Sequence, residues 1–126
     1  MNHWDNAVKQ LGEQLGMSEL ALSHNGQFAM QLASGRRIAA EAAGNDLLLY
    51  ASDPAPYDGA QRLLRAWRRT YLTRTDGRSV QAALREQDGL MRLLALVRLH
   101  ASECSPYTLR VAIDHVSSWL DDTSRQ

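Results

Sequence analysis

The stretch from Gly26 to Asp53, GQFAMQLASGRRIAAEAAGNDLLLYASD, constrains the fold more than any other, because it reads as three short strands separated by two turn signals. In QFAMQLA the side chains of Phe28, Met30 and Leu32 alternate with Gln27, Ala29 and Gln31, a period of two that sends the large apolar groups to one face. Ser34-Gly35 interrupts the run, a weaker alternation follows from Arg37 to Ala42, and Gly44-Asn45-Asp46 supplies a second turn. Leu47 to Ala51 is continuously apolar, the pattern of a strand buried on both faces, and Asp53-Pro54-Ala55-Pro56 is expected to end regular pairing there. The reading is an antiparallel meander.

Helical spacing brackets this meander. Trp4, Val8, Leu11 and Leu15 fall on one side of a helix whose other side is polar, with Asn2 as the expected N-cap, Asp5 at the positive end of the dipole and Gly16 as the stop. Leu20 to His24 alternates briefly before Asn25-Gly26, a hairpin dipeptide, and so predicts a leading strand. After the meander, Asp58 is placed to cap a helix from Gly59 to about Leu72. Its apolar stripe is Leu63, Leu64, Trp67 and Tyr71, and Arg62, Arg65, Arg68 and Arg69 occupy the other side. Asp76-Gly77 marks the turn that follows.

Ser79 to Glu86 alternates again and turns at Asp88-Gly89 into LMRLLALVRLH, which is apolar on both faces: Met91, Leu93, Ala95, Val97 and Leu99 on one, Leu90, Leu94 and Leu96 on the other. Helices of so short a chain cover one face, which leaves the second for a partner subunit or a bound chain. Ser105-Pro106 then opens a last helix with Leu109, Ala112, Ile113, Val116 and Leu120 at helical spacing, and the polar end from Asp121 to Gln126 is expected to fray. The expected fold class is α+β: a twisted antiparallel sheet of about five or six short strands with three helices, in the order α-βββ(β)-α-ββ-α. One domain over residues 1–126 accommodates it.

Fourteen basic residues balance fourteen acidic ones, so no net field draws the chain to a polyanion or a membrane surface. Cys104 is the sole cysteine, and with no signal peptide at the start the expected location is the reducing cytosol. The longest apolar stretch, Gly89 to Ala101, is broken by Arg92, Arg98 and His100 and is far short of the roughly twenty residues a membrane-spanning helix needs. His3, His24, His100 and His115 are scattered, no Gly-rich phosphate loop is present, and Asp114 and His115 are helix neighbours pointing about 100° apart. No enzyme, metal or cofactor is expected, and His115 reads as a surface residue. The arginines of the middle helix, with Arg74, Arg78, Trp67 and Tyr71 beside them, fit a solvated face, a nucleic-acid patch or the flank of a protein interface, where Trp and Arg are enriched.

The order of elements resembles the class I chaperones of bacterial type III secretion, the Tir chaperone-like family, over nearly the whole chain. Leu15-Gly16-Met17 through Asn25-Gly26 looks like that family's helix end, short strand and turn, and Leu47-Leu48-Leu49-Tyr50-Ala51 before Pro54 looks like its strand ahead of the middle helix. The family is usually acidic, whereas this chain is neutral with a basic middle helix.

The resemblance implies a cytosolic dimer, homomeric or formed with a related chaperone, that holds the N-terminal segment of a secreted effector or gatekeeper protein extended and secretion-competent without ATP. It places client contacts on the first helix and neighbouring strands, here Val8, Leu11, Leu15, Leu22, Phe28 and Met30. Dimer contacts fall on the middle helix and last strand, here Leu64, Trp67, Tyr71, Leu94 and Leu96. A nucleic-acid-binding regulator and a non-chaperone subunit of a larger assembly remain the alternatives.

Overall fold

The computed structural model describes residues 4–17, 22, 23, 25–72 and 80–124, and for 69–72 the backbone only. Helix α1 (Asp5–Gln14) precedes three strands, β1 (Gln27–Gln31), β2 (Arg37–Ala43) and β3 (Asp46–Pro54). Helix α2 (Gly59–Leu72), strands β4 (Gln81–Gln87) and β5 (Leu90–Leu99), a 3₁₀ turn (Ala101–Glu103) and helix α3 (Pro106–Ser124) complete the order. The strands form one antiparallel sheet in the order β1-β2-β3-β5-β4, so the crossover through α2 inserts β5 beside β3 and leaves β4 at the edge.

Local chemistry sets the boundaries. At the end of α1 the Gly16 amide donates to the Glu13 carbonyl at 3.2 Å and the Met17 amide to the Gly12 carbonyl at 2.6 Å. This is the paired closure that requires a left-handed residue, and Gly16 has φ of +73°. The β4–β5 turn holds Asp88 at φ +54° and Gly89 at +76°, the mirror-image turn geometry that matches strand twist. Ser105 caps α3 through its hydroxyl, which accepts from the Thr108 amide at 3.0 Å.

One face of the sheet carries Leu47, Leu49, Ala51, Leu93, Ala95, Val97 and Leu99, all buried in a single cluster with Trp4, Val8 and Leu11 of the first helical segment and Leu109, Ala112, Val116 and Leu120 of α3. The Trp4 indole N–H donates to the Asn45 carbonyl at 3.0 Å, which ties the start of α1 to the β2–β3 turn. At the same end Asp46 accepts from Arg98 at 2.8 Å and from the Ala101 amide at 3.0 Å, and these bonds, Arg98's first, hold its carboxyl below the usual range.

Four expectations are corrected. No leading strand precedes β1 among the described residues: Leu22 and Ser23 form a turn segment in which the Ser23 amide donates to the Gln27 carbonyl at 2.8 Å, and residues 20, 21 and 24 of that expectation lie outside the described residues. Strand β3 runs on through Asp53 and Pro54, paired with Leu93 and Arg92. The proline is tolerated because the next amide, that of Ala55, donates to Met91 of β5, so the Pro54 nitrogen faces the side where β2 has ended. The last turn of α3 is ordered to Ser124, with Thr123 buried. And Leu48 and Tyr50, on the other face of β3, are half-buried where full burial was expected. The Asn2 cap and the Asp76-Gly77 turn fall outside the described residues.

Candidate protein-binding surfaces

Three surfaces remain after the core has been assigned. The first is the uncovered face of the sheet. Register places Ala39, Tyr50 and Leu96 in one cross-strand row and Ser52, Leu94 and Ala83 in the next. All three helices share the core cluster of the opposite face, which leaves Tyr50, Leu94 and Leu96 only partly buried, while Ala39 and Ser52 beside them are buried. Leu94 and Leu96, expected at a dimer interface, therefore stand where another chain can reach them.

The second surface is the outer side of α2. Leu63 and Ala66 face the core, whereas Leu64 is 47% and Trp67 54% exposed, so the expected apolar stripe divides between two directions. A tryptophan left half in water invites a partner. The side chain of Tyr71 lies outside the described residues. Arg62 and Arg65 correct the solvated-face reading. Arg62 is only 6% exposed and donates to Asp53 at 3.1 Å and to the Thr123 hydroxyl at 3.2 Å, while Arg65 donates to the Thr123 carbonyl at 3.0 Å. Two of the four arginines that made α2 look like a nucleic-acid face thus bind α2 to α3.

The third surface is the outer edge of β1, along which no strand pairs among the described residues. Because the Gln27 carbonyl accepts from Ser23 on the outer side, the alternation of an antiparallel strand turns the amides and carbonyls of Ala29 and Gln31 outward as well. Of the residues assigned to client contact, Val8, Leu11 and Phe28 are buried in this chain's own core. Those positions hold α1 and β1 onto the sheet and offer a client no surface. Leu15 is 43% exposed past the end of α1, and Leu22 and Met30 are partly buried against the core, so these three keep accessible surface.

A buried ion network escaped the sequence patterns. Arg36 grips Asp53 with two parallel bonds of 2.7 and 2.9 Å and also donates to Asp121 at 2.7 Å and to the Ser117 carbonyl at 3.1 Å. Burial alone would raise the Asp53 carboxyl, but Arg36 and Arg62 outweigh it and hold it below the usual carboxylate range. On the opposite face Arg92, likewise 6% exposed, donates to the Ser52 hydroxyl and carbonyl at 2.9 Å each and to the Gly35 carbonyl at 2.8 Å. The signal for Arg92 was present in the sequence as a charge inside an otherwise apolar strand. For Arg36 no pattern marked it.

Among the described residues no cluster of His, Cys, Asp and Glu is placed to hold a metal, and no helix is long and apolar enough to cross a membrane. Burial raises the Cys104 thiol above its ordinary pKa, which disfavours the reactive thiolate. His115 is half-buried rather than at the surface, with its Nε2 enclosed.

No family model and no curated protein matches the sequence. Among solved structures, a chain of the HopA1–SchA chaperone–effector complex superposes with a TM-score of 0.67 at 18% identity, over 93% of this chain and 89% of that one. A chain of the ExsC–ExsE complex superposes with a TM-score of 0.66 at 18% identity, over 92% and 90%. The α-βββ-α-ββ-α chain therefore has the fold found in these complexes, which is the fold its resemblance to the type III secretion chaperones led us to expect.

Proposed function

We propose that this protein is a class I type III secretion chaperone, which binds the N-terminal segment of a secreted effector or gatekeeper protein in extended form and keeps it soluble in the bacterial cytoplasm without ATP. The observation that carries the reading is the sheet with one uncovered apolar face, built on the fold of a chain from a chaperone–effector complex. Holding a client extended costs ordering entropy, and a broad apolar surface with a free strand edge offsets that cost. In this reading the client pairs along the outward backbone of Ala29 and Gln31 and seats apolar side chains against Leu15, Leu22 and Met30. The outer side of α2, with Leu64 and Trp67, joins two subunits, and Leu94 and Leu96 lie on the face next available to either partner.

Affinity capture of the tagged protein from its native cytosol tests the function. The expected result is a secreted protein retained through its N-terminal segment, with retention abolished when that segment is deleted from the captured protein. Retention of nucleic acid, or of a partner whose N-terminal segment is dispensable, would overturn it.

A further inference from the structure

The uncovered face is not uniformly apolar. Along the strands, successive rows on one face are roughly 7 Å apart. Starting from the Tyr50–Leu96 row, the next row holds Arg37 opposite Ser52 with Leu94 beyond it, and the row after that holds Arg92 between Pro54 and Arg85. The apolar Tyr50–Leu96 row thus runs, through a mixed row that holds Arg37, Ser52 and Leu94, toward Arg92 and Arg85, so three strands contribute one arginine each. Among the described residues no carboxylate lies within ion-pair distance of Arg37, Arg85 or Arg92, while Arg92 spends its donors on the neutral oxygens of Ser52 and Gly35. Burial first, and the charge of nearby Arg37 second, lower the pKa of Arg92 against a weaker opposing pull from Asp53.

Such a cluster in a chain of zero net charge is a local feature with a use. We propose that this face binds an extended segment of the client whose alternate residues are apolar and whose end over the Arg37–Arg85–Arg92 cluster is acidic. The proposal rests on the chaperone reading and adds to it the chemistry of the segment. The spacing fits: alternate side chains of an extended chain recur at the same roughly 7 Å as the rows, so apolar groups over Tyr50, Leu96 and Leu94 bring a carboxylate two residues later to the arginines. Carboxylate pairing with Arg37 or Arg85, since Arg92 is buried with its donors bonded to Ser52 and Gly35, then fixes the direction of the segment as well as its register.

Two fluorescein-labelled peptides, LSLSLSDSD and LSLSLSKSK, test it by fluorescence anisotropy at about 50 mM salt. The wild type is expected to bind the aspartate peptide at least tenfold more tightly than the lysine peptide, with the ratio falling as salt rises. In the Arg37→Glu/Arg85→Glu variant the preference should vanish or reverse. These two side chains hold no internal hydrogen bond among the described residues, so the variant is expected to keep the wild-type melting temperature. Arg92 is left intact because its bonds hold Ser52 and Gly35 in place. Equal binding of the two peptides by the wild type, or an undiminished preference in the variant, overturns the acid-directed face. Binding of neither overturns it too, whereas the chaperone reading falls only with the capture experiment.

Discussion

Replacing Asp53 by Asn is the most informative single perturbation of this fold, because one carboxylate joins the end of β3 to both α2 and α3. The native side chain accepts two bonds from Arg36 and one from Arg62, and the three side chains are 15%, 13% and 7% exposed. Asparagine keeps the volume and removes the charge, leaving two largely buried guanidinium groups short of a counter-ion. Breaking a buried pair in this way typically costs about 3 to 5 kcal/mol. Arg36 retains Asp121, whose carboxylate is half in water, so the lower end, about 3 kcal/mol, is expected. For a chain of this length that corresponds to a fall of roughly 10 °C in Tm. Urea and thermal unfolding at a single protein concentration measure it, since self-association would make Tm concentration-dependent. The pH dependence carries the sign. The folded-state pKa of Asp53 is depressed, so its contribution is fully present above the unfolded value of about 4 and is lost as pH falls through the lower folded value. The gap between wild type and variant should be flat from about pH 5 to 8 and close in stronger acid. A difference below about 0.5 kcal/mol at pH 7, or a gap that widens on acidification, would refute the ionic account of this junction.

Trp67→Glu should convert a dimer to monomers in sedimentation while leaving the circular dichroism spectrum unchanged, because the ring is exposed within the single chain; a wild type that is already monomeric at micromolar concentration removes the α2 interface. Leu11→Asp should leave the chain unfolded, since it places a charge in the core, whereas Leu15→Asp should fold normally and weaken client binding at least tenfold; full-strength binding by folded Leu15→Asp takes the client off this end of α1. Cys104→Ser should bind the client as wild type does, and at pH 7 the native thiol should react more slowly with a disulfide reagent than free cysteine, as its raised pKa requires.

The apolar periodicities identified nearly every element, because alternation and helical spacing record which side of each element meets the core. The two faces of β5 divided as the sequence indicated: Leu93, Ala95, Val97 and Leu99 are buried, and Leu94 and Leu96 half-exposed. Periodicity fails where burial is achieved by pairing charges. Arg62 lies at the position on α2 that faces α3, and the distant Asp53, Leu120 and Thr123 make that burial tolerable. No local pattern could report partners 9 and 61 residues away. The same blindness made α2 look like a basic surface helix, whereas Leu64, expected at a dimer interface, points outward once Arg62, Leu63 and Ala66 have taken the inner side.

The residues assigned to client contact divide between core and surface for a related reason. An amphipathic helix on a small sheet has one apolar stripe, and the core claims it first: Val8 and Leu11 are consumed in holding α1 down, so only the overhang at Leu15 remains for another molecule. A binding surface in such a fold must come from apolar residues that no internal element can reach. Strand β5 supplies them by topology. Because the crossover places it between β3 and β4 rather than at an edge, its second apolar face lies in the middle of the open side of the sheet, next to Tyr50 of β3. Polar substitution there would cost the core nothing, since Leu94 and Leu96 contribute no side chain to it. Under the proposed function, this is the face on which a second chain would cover Leu94 and Leu96.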